Sequence, residues 1–354
     1  MSVAFIFPLL IWMLMSGPRW AGDTPTYSAW ADALIDARFN AVEFLRSNTF
    51  TAPLLLYLGW IVTVALAKVI AGGTWPWLLL ALNGVAVWWA VRTTVVSVSC
   101  QRALAVAWVA GLWVACSPDV WVFAPLVLGD LWFTALCTVV IGALLGWPGR
   151  LPIHVVAIAG LAIITRPATA PLVVCIALVL SGAVRWSTSS IKWAVALAAL
   201  VAITVVVVHA WVITTTVWVP GALLPWVERL RDHYAHGVVV VERPETFVAP
   251  ALTLPGAVAL TMRKWIYFFS PWLSGYSPRH LAINLLWFVP LYAAIAHSVW
   301  RAPNRFAVHV LLLYVGLVSG FHALQELDFD QRYRIPVLPA MVMLASLSTG
   351  RASR

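Results

Sequence analysis

The sequence predicts an all-α protein: a polytopic membrane helix bundle of about ten transmembrane helices, with further helices lying along its outer face. Three observations carry this expectation. Of 354 residues, 62% are apolar and only 10% are charged, against about 25% charged in soluble domains, and the mean hydropathy is +0.92. Disorder is excluded by the same numbers. The apolar residues fall into runs approaching the roughly 20 residues that a bilayer core requires. Finally, the chain holds 22 Trp and 8 Tyr, whose rings have an apolar body and a polar edge and favour the membrane–water interface. The net charge of +9 would also suit nucleic acid, but basic loops of membrane proteins give the same excess, and no nucleic-acid partner is expected. Cys100, Cys116, Cys137 and Cys175 lie in or beside apolar runs and show neither metal spacing nor a disulfide framework.

Between charges, the runs cover 3–17, 53–71, 75–92, 102–117, 123–145, 151–165, 168–184, 191–211, 281–300, 305–322 and 335–349. The first lacks a basic leader and a cleavage site and reads as a retained helix. The second begins at Pro53, contains Gly59 and Lys68, and ends in Gly72-Gly73. If it lies on or dips into the outer surface without crossing, ten helices cross. The short loops holding Arg92, Arg102, Arg150, Arg185, Lys192, Arg301 and Arg305, and the tail with Arg351 and Arg354, then all face inward. The positive-inside bias favours that arrangement over its inverse. It leaves two long outer loops, about 18–74 and 212–280. No repeat or separate soluble domain is visible, so the chain reads as a single transmembrane domain, 1–354, that works at its outer face.

After the first run, Thr24-Pro25 marks a helix start, with Thr as the cap and Pro at the first helical position. Tyr27, Ala31, Leu34, Ile35 and Arg38 follow at helical spacing, widened by Trp30 and Phe39 and opposed by Asp32 and Asp36. This is an amphipathic surface helix. Asp23 stands just before it, either as a capping or loop acid or as a functional carboxylate. In the second loop, 226–236 reads as another surface helix carrying His233 and His236, and 265–273 as an aromatic segment at the interface or packed in the core.

The pattern G-D-x-x-x-Y-x-x-x-A-x-x-L, at Gly22, Asp23, Tyr27, Ala31 and Leu34, resembles the first motif of the GT-C superfamily of membrane glycosyltransferases, in the manner of glycosyltransferase family 39. Three further stretches resemble that superfamily in the same order. F-T-A-P-L-L-L-Y-L-G-W (50–60) resembles the helix after the first motif. S-P-D-V-W-V-F-A-P-L-V-L-G-D (117–130) resembles the second outer loop, and Q-R-Y-R-I-P-V-L-P (331–339) the start of a late helix. The chain departs from the protein-mannosylating branch, since it is short and Asp23 stands without a following Glu. The resemblance implies a polyprenyl-phosphate-linked sugar donor, a glycan or glycolipid acceptor, and Asp23 as general base of an inverting transfer. It implies a multi-pass protein of the bacterial plasma membrane with its active site outward, among membrane lipids.

That chemistry needs a base for the acceptor hydroxyl and cations for the leaving phosphate. Arg binds two phosphate oxygens at once, and the motif match points to Arg332 and Arg334, with Tyr333 between them and Tyr27 from the first motif also in the substrate-binding set. Arg166, in T-R-P, is either a phosphate ligand or an interfacial base. Arg263, Lys264, Arg279 and His280 read as interfacial bases. Asp130 either binds hydroxyls or orients the base, or makes a structural hydrogen bond; Asp119 reads as a hydrated loop acid. Asp23, Asp119 and Asp130 could hold a divalent metal, but no metal or other cofactor is expected. Two other classes stay open: a transporter or lipid flippase, and a polysaccharide polymerase or ligase.

Overall fold

The computed structural model describes residues 2–47, 53–147, 151–182, 184, 224–240, 243, 246–272, 276–325 and 332–348. Among them all regular structure is helical, and an isolated parallel bridge joins Arg19 and Leu126. The expected helix at 191–211 and the tail arginines lie outside the described residues.

The first run forms α1 (Ser2–Ser16) and the amphipathic stretch forms α2 (Thr24–Asp36). Tyr27, Ala31 and Leu34 are buried on one face of α2, while Asp32 and Asp36 are exposed. The cap position belongs to Asp23 rather than Thr24. The Thr24 hydroxyl is committed elsewhere: it accepts from the Ala21 amide at 3.0 Å and donates to the Val127 carbonyl at 3.2 Å. The helix also stops earlier than its spacing suggested, because Arg38 and Phe39 adopt positive φ.

After the short α3 (Ala41–Ser47), α4 runs over Pro53–Ala71 and α5 over Trp75–Ser99, joined by a 3₁₀ turn. Gly72 in that turn has φ of +51°, a conformation that costs a side-chain-bearing residue free energy. Trp60 packs against Gly129, and Asn83 donates to the carbonyls of Ala124 and Leu126. On one straight helix, residues 60 and 83 would stand about 35 Å apart, too far to meet the same six-residue loop. The chain therefore bends sharply at 72–74. Helix α4 instead lies along α2, where Lys68 pairs with Asp32 at 2.7 Å and donates to the Ser28 carbonyl at 3.0 Å.

The run expected at 123–145 is divided. Its first part follows α7 (Pro118–Phe123) as a non-helical loop containing Pro125 and Gly129, and helix α8 begins only at Asp130 (Asp130–Gly146). Helix α6 (Leu104–Ala115) and α8 pack on α5. Then come α9 (Ile153–Ile163), α10 (Ala170–Leu180), α11 (Leu224–His236), α12 (Leu254–Phe269), α13 (Pro278–Arg301) and α14 (Arg305–Leu324). The last expected run opens as a 3₁₀ turn, Arg332–Val337, before α15 (Leu338–Ala345). By length and apolarity three stretches can cross a bilayer: Tyr57–Ser99, Pro278–Arg301 and Arg305–Leu324. Five shorter apolar helices accompany them, so helix length alone does not establish about ten crossings.

Candidate functional site

The site begins with a backbone stitch. The Arg19 amide donates to the Pro125 carbonyl at 2.8 Å, and the Val127 amide donates to the Arg19 carbonyl at 2.9 Å. The two strands of this stitch run parallel. Four residues beyond Arg19 comes Asp23, and four beyond Leu126 comes Asp130. The stitch thus carries both carboxylates to the same end of the bundle. Asn83 holds the loop from one side, and the Trp60 ring lies so close to Gly129 that a Cβ there would come within 2.8 Å of it. Only glycine fits at 129 without moving the ring.

Arg166 arrives from another direction. It precedes Pro167, and the clash with a proline ring pushes the preceding residue into extended geometry; Arg166 has φ −155° and ψ 143°. Thr169 fastens this corner by bonding the carbonyls of Ala162 (2.7 Å) and Arg166 (2.6 Å). The Gly59 amide, donating to the Ile164 carbonyl at 2.6 Å, ties α4 to it. From the corner the Arg166 guanidinium forms a buried ion pair with Asp130. Burial works against the charge on Arg166, but the Asp130 carboxylate more than offsets it, so the group is held more firmly protonated than a free arginine.

Arg332 completes the group. Its Nη1 bonds Asp23 Oδ2 at 2.8 Å, and its Nε lies 3.9 Å from Asp130 Oδ1. One guanidinium therefore sits between the two acids. Tyr333 supplies the adjoining wall, its ring centroid 5.3 Å from the Arg332 guanidinium carbon and 5.9 Å from that of Arg166. Tyr27 approaches from α2, with Tyr57 beside it at 5.7 Å between ring centroids. Burial first, and then Tyr57, Asp23 and Asp130, push the Tyr27 phenol well above its usual range, against the opposing pull of Arg166. It is a neutral hydrogen-bonding group at any working pH. The two acids differ in exposure: the Asp23 side chain is 46% exposed and that of Asp130 2%. The Asp23 carboxylate makes no capping hydrogen bond to its own helix, and Asp130 Oδ2 has no hydrogen-bond partner.

Asp23, Tyr27, Asp130, Arg166, Arg332 and Tyr333 are thus gathered; Arg334 is not. A 3₁₀ helix turns about 120° per residue, so side chains two positions apart point in different directions. Arg334 turns to Asp119, bonding it through Nε (2.9 Å) and Nη2 (3.1 Å), while Nη1 donates to the Ser270 carbonyl at 2.8 Å. Phe288 stacks on it at 3.8 Å. Both partners are buried, which also corrects the expectation of a hydrated Asp119. Of the two arginines expected to meet phosphate, Arg334 is instead a brace. The three acids Asp23, Asp119 and Asp130 do not converge, and among the described residues no group of three or more His, Cys, Asp or Glu is placed to hold a metal.

Lys264 is fully buried, its ammonium bonded to the Gln325 carbonyl and lying over the Tyr234 ring, so it is not an interfacial base. Arg263 and Arg279 are exposed, and His280 stacks on Tyr276. His233 is buried, while His236 pairs with Asp232 at 3.0 Å. One residue of the site escaped the sequence: His322, buried near the end of α14 and stacked on Tyr333 at 4.4 Å. An isolated His in an apolar run carries no spacing signal that could have found it.

Comparison of the chain with protein-family models, with curated proteins and with solved structures returned no match.

Proposed function

We propose that the chain is an integral membrane glycosyltransferase, multi-pass and outward-facing, that moves a sugar from a polyprenyl-phosphate donor to the hydroxyl of a glycan or glycolipid acceptor. The observation that carries this reading is Arg332 held between a half-exposed carboxylate, Asp23, and a buried one, Asp130, with Arg166 alongside. Two acids and two arginines leave the group formally neutral. A donor phosphodiester adds one negative charge, which the group accommodates best by releasing an acid from Arg332. Asp23 is the one to leave, because it is already half in water, whereas freeing Asp130 would strand a buried charge. Phosphate binding thus unmasks the base. The acceptor oxygen then attacks the anomeric carbon as its proton passes to Asp23. The bond from that carbon to the phosphate oxygen breaks, its electron pair stays on phosphate, and Arg332 and Arg166 stabilise the charge. A single displacement inverts the anomeric centre.

A carrier reading draws on the buried Asp130–Arg166 pair, since ionisable groups inside a bundle also mark transport paths. Transfer from a radiolabelled polyprenyl-phosphate sugar by the purified chain in vesicles separates the two. Asp23→Asn keeps the shape but cannot take the proton, and is expected to cost about a hundredfold to ten-thousandfold in rate while folding is preserved. Turnover within a few-fold of wild type would sink the transferase mechanism.

A further inference from the structure

His322 is buried at 4% exposure, yet neither ring nitrogen has a hydrogen-bond partner. A neutral imidazole carries one N–H and one bare nitrogen, and leaving such groups unmade inside a protein is costly. The ring is held in a slot. Tyr333 covers one side at 4.4 Å and 6° from parallel, Phe268 stacks at 6.1 Å and 14°, and Phe321 meets the ring edge-on at 5.4 Å. With Tyr333 stacked closely on the imidazole, its chemistry is at the ring edge, where the nitrogens are. Tyr333, the ring stacked on it, is bordered in turn by Arg166 and Arg332. A side chain with this isolation is not explained by packing, because a phenyl ring would fill the slot without an unmade hydrogen bond. We propose that His322 is a donor-binding residue whose ring N–H bonds an oxygen of the phosphate held by Arg332 and Arg166. The slot fixes the ring so that no rotamer freedom is lost on binding. This inference rests on the polyprenyl-phosphate reading of the site.

The test is binding of farnesyl phosphate, a short polyprenyl phosphate, to the detergent-purified full chain. Wild type is compared with His322→Phe, His322→Asn, His322→Gln and Arg332→Ala, and melting temperatures are recorded in parallel. His322→Phe is expected to melt no lower than wild type and to bind farnesyl phosphate at least about tenfold more weakly, the scale of a lost hydrogen bond to a charged group. Asn and Gln place an amide near Nδ1 and Nε2 respectively, and one of them is expected to recover most of the affinity, which a packing role would not produce. Binding within twofold of wild type by His322→Phe, or by all three His322 variants, while Arg332→Ala binds weakly, overturns the assignment of His322 alone. Unchanged binding by Arg332→Ala as well overturns the donor reading, and this inference with it.

Discussion

Arg332 and Arg334 lie two residues apart, yet the structure predicts opposite consequences for removing them. Arg334→Ala strips Asp119 of both its guanidinium bonds and leaves the Ser270 carbonyl short of a donor. Asp119 is 5% exposed, so its charge cannot turn to water. Breaking a buried pair from one side costs about 3–5 kcal/mol, which at about 2 °C per kcal/mol for a long chain is a fall in melting temperature of roughly 6–10 °C. Replacing both partners together, Asp119→Leu with Arg334→Met, is expected to recover most of that loss, since an apolar pair carries no desolvation penalty. Arg332→Ala releases a carboxylate that is already half exposed, and Asp130 keeps Arg166. Its cost in stability is expected to be smaller than that of Arg334→Ala, because the carboxylate it frees can turn to water. On the proposed function, its cost is the loss of a charge-assisted phosphate contact, about tenfold to a hundredfold in donor use. Thermal unfolding in detergent and donor-dependent transfer, measured on the same preparations, decide the matter. Arg334→Ala melting within 2 °C of wild type while losing donor use would refute the division of labour drawn here.

Two further outcomes follow from burial. The Tyr27 phenol is raised by its surroundings, so its contribution to stability is complete below the unfolded-state value of about 10 and is lost as pH rises from there towards the folded value; Tyr27→Phe is expected to flatten the fall in melting temperature above about pH 10 and to change nothing near neutrality. Cys100 and Cys116 are exposed and Cys137 and Cys175 buried, so on the proposed topology an impermeant maleimide added to intact cells labels Cys116 and reaches Cys100 only after permeabilisation, with the reverse pattern inverting the topology.

What could be read in the fold was whatever depends on near neighbours in sequence. The start of α4 at Pro53 and its end at Ala71, the apolar face of α2 and the helix expected at 226–236, which forms over Leu224–His236, all announce themselves within one or two turns, through prolines, glycines and a period of 3.6. The division of 123–145 is marked only by Pro125 and Gly129, within a stretch otherwise as apolar as a helix interior. What makes it a loop is its pairing with Arg19, over a hundred residues earlier, and the hydrogen bonds from Asn83. Hydropathy measures where a segment is content to be, not the backbone partners it finds there.

The same division runs through the site. Asp23, Asp130, Arg166 and Arg332 were open to selection singly because a charged group is conspicuous in a chain with so few of them. Which charges pair is a different kind of information. Arg334 meets Asp119 across 215 residues and Arg332 meets Asp23 across 309, separations at which no periodicity survives, and the choice between them is made by a local 3₁₀ turn that rotates neighbouring arginines away from each other. Pro336 lies inside that turn and Pro339 in the first turn of α15, where a missing amide is tolerated. The turn thus offers the site one arginine and commits the other to holding the backbone against α7 and the Ser270 carbonyl. Arg332 can be positioned between two acids because Arg334 fixes the backbone two residues away.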